Sequence, residues 1–268
     1  MKTWKKIVLG VSLISLFLGG GLVAWGYSQG GLTDLQNQTK SEQDYVKKEV
    51  KDFNKIDIKS SSYNVLIKNG EVDKATLSYY QKTKNPIDTS VKDGQLTIND
   101  NNSELDSTSN KHINFFGLKD LVRLSTLNKE VRNKTIVITL PKKQTIDFLK
   151  VDLATGNLDL SNSTIKQSDI HLNVGDLTFT KMIVSNLKAN LDVGSVDSDH
   201  TLFTNSDLSI AMGDYSGDNL IFNGHNKLDV TSGDIEIVLK ITRSMFKPIV
   251  IQERGTSQIT LRFQRITH

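Results

Sequence analysis

The feature that most constrains this chain is a motif that recurs five times between residues 151 and 239. Each copy has apolar residues two positions apart, then a glycine and a small polar residue, then apolar residues of the opposite parity. Successive glycines are spaced by 19, 19, 19 and 20 residues, and a fixed period of this length predicts a solenoid of stacked rungs. The glycines are Gly156, Gly175, Gly194, Gly213 and Gly233.

Apolar residues two apart indicate extended chain rather than helix. In the second copy, Leu172 and Val174 precede Gly175, whereas Leu177 and Phe179 follow it. This change of parity requires a corner, and glycine bends the backbone at the least steric cost. Stacking places equivalent residues in columns, in which successive residues are about 4.8 Å apart. The predicted fold class is therefore an all-β, parallel β-solenoid. The expected core columns are Leu153/Leu172/Leu191/Ile210/Val230 and Leu158/Leu177/Val196/Tyr215/Ile235.

A small polar residue follows each corner glycine, and we interpret it as turn chemistry. Such side chains accept hydrogen bonds from nearby backbone N–H groups. The alternative is a ladder of calcium ligands, since carboxylate oxygens suit calcium. The Gly-Gly-x-Gly-x-Asp spacing of calcium-binding repeats is absent, so we expect no cofactor or metal. The residues are Asn157, Asp176, Ser195, Asp214 and Asp234.

The N-terminus predicts a membrane anchor. Residues 1–6 contain three lysines, and residues 7–26 contain no charged side chain. About 20 such residues cross a bilayer as a helix, and the lysines indicate a cytoplasmic N-terminus with the rest of the chain outside the cell. The alternative is a long signal peptide cleaved near residues 24–26. The polar residues 27–52 are interpreted as a stalk.

Residues 53–268 are predicted to form one extracytoplasmic domain, with 151–239 as its regular rungs. An insert at 113–124 has the spacing of an amphipathic helix, which we expect to cap an open end of the solenoid. The alternative is a helix that docks on a membrane or on a partner. Residues beyond 240 lose the period and are predicted to form a closing hairpin. The docking residues would be Phe115, Phe116, Leu118 and Leu121.

The charge distribution argues against a nucleic-acid partner. The formal net charge of +3 equals the contribution of the N-terminal lysines, so residues 28–268 are neutral overall. Residues 151–240 nevertheless hold 13 acidic and 5 basic side chains. An acidic wall containing Asp197, Asp199 and Asp218 would attract cationic ligands, although a solvated polar strand face gives the same count.

The residues that enzymes of comparable folds use are not arranged for catalysis in this sequence. Cysteine is absent, the five histidines follow no fixed spacing, and there is no Gly-x-Ser-x-Gly or phosphate-binding glycine loop. Asp197 and Asp199 share a strand face as the carboxylates of a polysaccharide-cleaving β-helix enzyme would, but exposed aspartates near a turn are ordinary. We therefore expect no enzymatic activity.

Several stretches together resemble a bacterial domain-of-unknown-function family labelled putative adhesin, found in cell-envelope proteins of Gram-positive bacteria. They are residues 53–58 with 65–67, 93–98, 136–141 and the rungs from Gly156 to Asp234. The resemblance implies a parallel β-solenoid-like domain without established activity, frequently associated with envelope-stress signalling. No catalytic residues carry over.

These observations lead to one functional expectation with alternatives. The chain is expected to be a membrane-anchored binding protein of the cell envelope, acting in envelope-stress sensing or surface interaction. Its expected partners are the membrane, a membrane signalling protein or a cationic peptide. The alternatives are an adhesin for host or matrix glycans and proteins, and a purely structural spacer. The oligomeric state is left open by the sequence.

Overall fold

A computed structural model describes residues 43–82, 86–100, 134–241, 249–253 and 259–265. Every regular element in these residues is a β-strand. Accordingly, the described ranges include no helix that is long and apolar enough to span a bilayer. The predicted anchor at 7–26 and the predicted helix at 113–124 lie outside the described residues. The all-β class is confirmed.

The first seven strands build and close the N-terminal end of the stack. β2 and β3 pair in parallel with the first regular rung, whereas β4 pairs antiparallel with β7 and β5 antiparallel with β6. A turn at Asp93 and Gly94 joins β5 to β6. The strands are β1 (Gln43–Glu49), β2 (Lys55–Ser60), β3 (Asn64–Gly70), β4 (Thr76–Lys82), β5 (Asp88–Lys92), β6 (Gln95–Asn99) and β7 (Thr135–Pro141).

The remaining strands form the regular part of the solenoid. Most are short because each rung turns at every corner. They are β8 (Thr145–Ile146), β9 (Phe148–Thr155), β10 (Leu158–Ser161), β11 (Thr164–Ile165), β12 (Ser168–Val174), β13 (Leu177–Thr180), β14 (Ile183–Ser185), β15 (Leu187–Val193), β16 (Val196–Asp199), β17 (Leu202–Thr204), β18 (Asp207–Met212), β19 (Tyr215–Asn223), β20 (Asn226–Val230), β21 (Ile235–Ile241), β22 (Ile249–Glu253) and β23 (Ile259–Arg265).

The strands form three faces, and the strands of the regular rungs are parallel to one another within each face. We name the faces A, B and C. Face A contains β3, β10, β13, β16, the start of β19, and β21. Face B contains β2, β9, β12, β15, β18, β20 and β22. Face C contains β8, β11, β14, β17 and the end of β19. A regular rung therefore runs from face B to face A to face C before the next rung begins.

The register confirms both predicted core columns. On face B, Leu172 pairs with Leu153 and Leu191, and the column continues to Ile210 and Val230. On face A the column from Leu158 to Ile235 is formed in the same way. All ten side chains are buried. Because every rung contributes to both columns, one continuous apolar core runs along the stack.

On face A, small inward residues beside Tyr215 compensate for the volume of its ring. Tyr215 is the largest side chain of its column and is buried. Two residues later the inward position holds Gly217, where an added Cβ would lie 3.0 Å from a ring carbon of Tyr215. The neighbouring inward position on β16 is Ser198. Small residues therefore make room for the tyrosine ring, as close packing demands.

The corner from face B to face A is a column of stacked glycines. Gly175, Gly194, Gly213 and Gly233 have φ between 142° and 152°. A Cβ on any of them would overlap the carbonyl oxygen of the corner glycine one rung earlier. Only glycine adopts this conformation and also allows the next backbone to approach so closely. In the first copy, Gly156 stacks in the same way on the backbone of Tyr63.

The other two corners use left-handed residues that the sequence analysis did not identify. Between faces A and C, the column of Asn162, Lys181, His200 and Asn219 has φ between 49° and 55°. Asn186, Asn205 and Gly224 form the corner between faces C and B. Glycine, asparagine and histidine are found in this conformation more often than other residues, whereas lysine adopts it less readily.

The predicted stalk at 27–52 extends too far along the chain. Residues Gln43–Glu49 form β1, which lies at the edge of face A beside β4. Val50 and Phe53 are buried in the core, and the Tyr45 ring lies 4.9 Å from that of Tyr80. This strand is highly charged, as exposed edge strands commonly are, and its composition therefore suggested a linker. Residues 27–42 lie outside the described residues.

The predicted closing hairpin at the C-terminus is wrong. β22 pairs in parallel with β20, and β23 pairs in parallel with β21. The two strands therefore continue faces B and A as another rung. The paired residues Asn226 and Ile249 are 23 positions apart, which is longer than the regular period and hides the repeat.

We predict that Gly194→Ala destabilises the domain by roughly 3 kcal/mol or more. The methyl group would strain the left-handed backbone and push the rung away from the carbonyl of Gly175. Urea denaturation followed by circular dichroism measures the change. Asp192→Ala, at an exposed position on the preceding strand, is the control and should change stability by about 0.5 kcal/mol or less. Equal stability of the two variants would contradict the glycine-column account.

Candidate functional site

The outward side of face A brings together the three aspartates that the sequence analysis singled out. Alternation along β16 turns Val196 and Ser198 inward and leaves Asp197 and Asp199 outward. Asp199 pairs in register with Asp218 on β19. Neighbouring strands lie about 4.8 Å apart, so these two carboxylates occupy adjacent positions on one flat surface.

Two of these carboxylates are oriented by the residue that follows each of them. The Asp199 Oδ1 atom lies 2.6 Å from Nδ1 of His200, and Asn219 Nδ2 donates to Asp218 Oδ2 at 3.0 Å. His200 and Asn219 occupy the left-handed corner column. The corner geometry therefore folds each of these side chains back onto the preceding aspartate.

Three further acidic residues extend this surface and were not part of the predicted site. Glu236 pairs in register with Ser216 on face A and is exposed. Asp214 and Asp234 are exposed beside the glycine corner at the edge of the same face. The rung period locates all three residues once the outward columns are drawn. We call the set Asp197, Asp199, Asp214, Asp218, Asp234 and Glu236 the acidic wall.

The polar residues after the corner glycines form a hydrogen-bond ladder along the stack. Asn157 Oδ1 accepts from the backbone N–H of Asp176 at 3.0 Å, and Asp176 Oδ1 accepts from that of Ser195 at 2.9 Å. Asp214 Oδ1 accepts from the N–H of Asp234 at 2.8 Å. This is the predicted turn chemistry, extended from one rung to the next. Within the described ranges, no group of three or more acidic or histidine side chains is arranged to hold a metal ion.

Asp159 differs from every other acidic residue on face A. It lies in the outward column that runs from Leu66 through Thr178 to Asp197, yet its side chain is only 2% exposed. Its Oδ2 atom has no hydrogen-bond partner. Burial raises the pKa of the Asp159 carboxyl to about 7, a hydrogen bond from Thr178 opposes the rise, and the charge of Asp176 adds to it.

A small cavity in the described part of the chain is separate from the acidic wall. It lies near the corner between faces C and B and is partly open to solvent. Its lining is mainly apolar, including Leu187, Phe203, Leu208 and Phe222. The acidic wall is instead an open sheet surface. The predicted docking residues Phe115, Phe116, Leu118 and Leu121 lie outside the described residues.

The fold and its outward columns define a parallel β-solenoid domain whose distinctive surface is an open, charged sheet face. A family model described as Toastrack DUF4097 matches residues 53–261. The match covers most of the chain, and the protein therefore belongs to the Toastrack DUF4097 family. This confirms the resemblance inferred from the sequence. A comparison with curated proteins found no significant match.

Solved structures of similar proteins come from several bacteria. A putative adhesin from Bacteroides fragilis is 16% identical, with 83% of this chain and 98% of that chain covered and a TM-score of 0.35. A putative cell adhesion protein from Clostridium sporogenes is 14% identical over 83% of this chain and 100% of that chain, with a TM-score of 0.35. A putative lipid binding protein from Parabacteroides distasonis is 10% identical over 85% and 98%, with a TM-score of 0.27.

We predict that Asp159 makes the domain less stable as the pH rises from about 4 to about 7. The folded carboxyl has a pKa of about 7 against an ordinary value of 3.8, so the folded state retains a proton that the unfolded state has lost. The stabilisation by the protonated Asp159 carboxyl is complete below pH 4 and is lost as the pH rises through 7. The free energy of unfolding falls by up to a few kcal/mol over this range. Urea denaturation across this range measures it.

Asp159→Asn should remove most of this pH dependence, because an amide does not titrate in this range. The control is Asp197→Asn in the exposed part of the same column, which should leave the slope close to that of the wild type. Identical slopes for wild type and Asp159→Asn would contradict the assignment.

Proposed function

We propose that this protein is a membrane-anchored binding protein of the cell envelope whose acidic wall takes cationic ligands such as membrane-active peptides. The proposal combines the open acidic surface with the predicted N-terminal anchor. In it, the domain lies outside the cytoplasmic membrane and reports ligand binding to a membrane signalling partner in envelope-stress sensing.

The observation that carries the proposal is the concentration of carboxylates on one open face. Asp199 and Asp218 are neighbours in register, Asp197 shares a strand with Asp199, and Glu236 lies further along the face. A flat acidic surface suits an extended or helical cationic peptide, which presents several ammonium or guanidinium groups at once. A small substrate would instead require a concave pocket.

The expected energetics are those of many weak contacts. An exposed ion pair contributes about 0.2–1 kcal/mol, so affinity comes from several simultaneous pairs. The Debye length is about 8 Å at physiological ionic strength, and binding should therefore weaken strongly as salt is added. Charge complementarity of this kind also accelerates encounter with a cationic partner.

We predict that the triple variant Asp197→Asn, Asp199→Asn, Asp218→Asn binds a cationic amphipathic peptide about tenfold more weakly than the wild type. The loss follows from removing three adjacent charges at little change in shape. Fluorescence anisotropy with a labelled peptide at 50 and 300 mM salt measures the affinity and its salt dependence.

The matched control carries Asp73→Asn, Asp88→Asn and Asp93→Asn, which removes three exposed carboxylates near the N-terminal end of the stack. It has the same net charge as the wall variant and should bind as the wild type does. Equal weakening of both variants would show that only net charge matters. Unchanged binding by the wall variant would overturn the proposal and leave adhesion to glycans or matrix proteins as the function to examine.

A further inference from the structure

The outward side of face B carries a column of charges that alternate in sign from one strand to the next. Asp57 pairs in register with Lys150, and the column continues strand by strand through β12, β15, β18 and β20. Successive members lie about 4.8 Å apart, so the column is about 24 Å long. We call it the charge ladder: Asp57, Lys150, Asp169, Lys188, Asp207 and Lys227.

The ladder charges are directed to solvent rather than to one another. Lys150, Lys188 and Asp207 are exposed, and Asp57 and Asp169 are half-buried. Among the described residues, these five side chains form no ion pair or hydrogen bond. The sixth member, Lys227, pairs along its own strand with Asp229 at 3.4 Å. The first five members of the ladder are therefore available to a partner with the opposite pattern.

A second copy of the same chain has that pattern. The ladder has an even number of alternating charges, so its reverse is its complement. Consider a two-fold axis that is parallel to the strands, lies in the plane between the two facing sheets and passes midway between β12 and β15. It places Asp169 opposite Lys188 of the second copy. The same operation places Lys150 opposite Asp207 and Asp57 opposite Lys227, without any like-charge pair. This is the self-complementarity that a two-fold interface requires.

The neighbouring outward column on face B obeys the same rule. It runs through Lys59, Asp152, His171, Asn190, Ser209 and Asp229. Reversed on itself, this column brings no like charges together. Asp229 at its end is buried and pairs with Lys227, so the column is compatible with the interface but adds no ion pair to it. The next positions along the strands hold short exposed side chains at Ala154, Asn173, Asp192 and Ala211. Two such faces can therefore approach closely.

We propose that two copies of this protein associate through face B about a two-fold axis parallel to the strands, with the charge ladders pairing in reverse order. This interface leaves face A and its acidic wall uncovered. The association depends on charge, so it strengthens at low ionic strength and weakens as salt screens the pairs.

The test uses two charge reversals that fail alone and complement each other. In Asp169→Lys homodimers, position 169 faces Lys188 of the second copy and is repelled. In Lys188→Asp homodimers, position 188 faces Asp169 and is again repelled. A mixed dimer of the two variants restores both opposite-charge pairs. No effect of a reversal within one chain predicts such a rescue.

The experiment uses the full-length chain in mild detergent. Because the chain has no cysteine, an introduced Asp73→Cys at an exposed turn provides a single labelling site. Energy transfer between donor- and acceptor-labelled chains then reports association. We expect transfer for the wild type at 20 mM salt and its loss at 500 mM. Each reversal should weaken self-association about tenfold or more, and the mixture should recover it.

Two results would overturn the proposal. One is a wild type that stays monomeric at 100 µM in low salt. The other is a mixture of the two variants that associates no better than either variant alone. If a reversal prevents folding, as judged by circular dichroism, the neutral variants Asp169→Asn and Lys188→Gln replace the pair, and the proposal requires both to weaken self-association and its salt dependence.

Discussion

The close stacking of corner glycines is the constraint on which the rest of this structure depends. At Gly175, Gly194, Gly213 and Gly233 the backbone of one rung lies where a side chain would otherwise be. The rungs can therefore keep parallel hydrogen-bonding register through the corner, as the bond from Gly175 N–H to the Val193 carbonyl shows at 2.9 Å. Once that register is fixed, every position in a rung belongs to a column, and the columns define both the core and the surfaces.

The period of the glycines was sufficient to predict the two core columns and the grouping of Asp197 with Asp199, because alternation and a fixed rung length determine which residues are neighbours. It was insufficient wherever the structure departs from local signals. Lys181 and His200 occupy left-handed corners, although neither lysine nor histidine is among the usual turn residues. Asp159 is outward by alternation and yet buried, which register alone does not reveal.

The order of the stack also differs from the order of the chain at the N-terminal end. β2 and β3 lie directly beside β9 and β10, although more than 80 residues separate them in sequence. β6 and β7 stack on their far side. Parallel pairing between such distant segments leaves no periodic signal. Because the repeat stacks equivalent residues, one residue per rung is enough to form a surface. Face A carries an acidic surface of this kind, and face B carries one whose charges alternate in sign.

Removing whole periods tests the stacking account most directly. Deleting residues 176–213 takes out two 19-residue periods and joins Gly175 to Asp214, so each remaining column and the charge alternation are preserved. Thermal unfolding of this variant should remain a single cooperative transition with β-type circular dichroism, at a lower Tm than the wild type. A deletion of 28 residues, 176–203, breaks the period and should not fold. Equal behaviour of the two deletions would contradict the account.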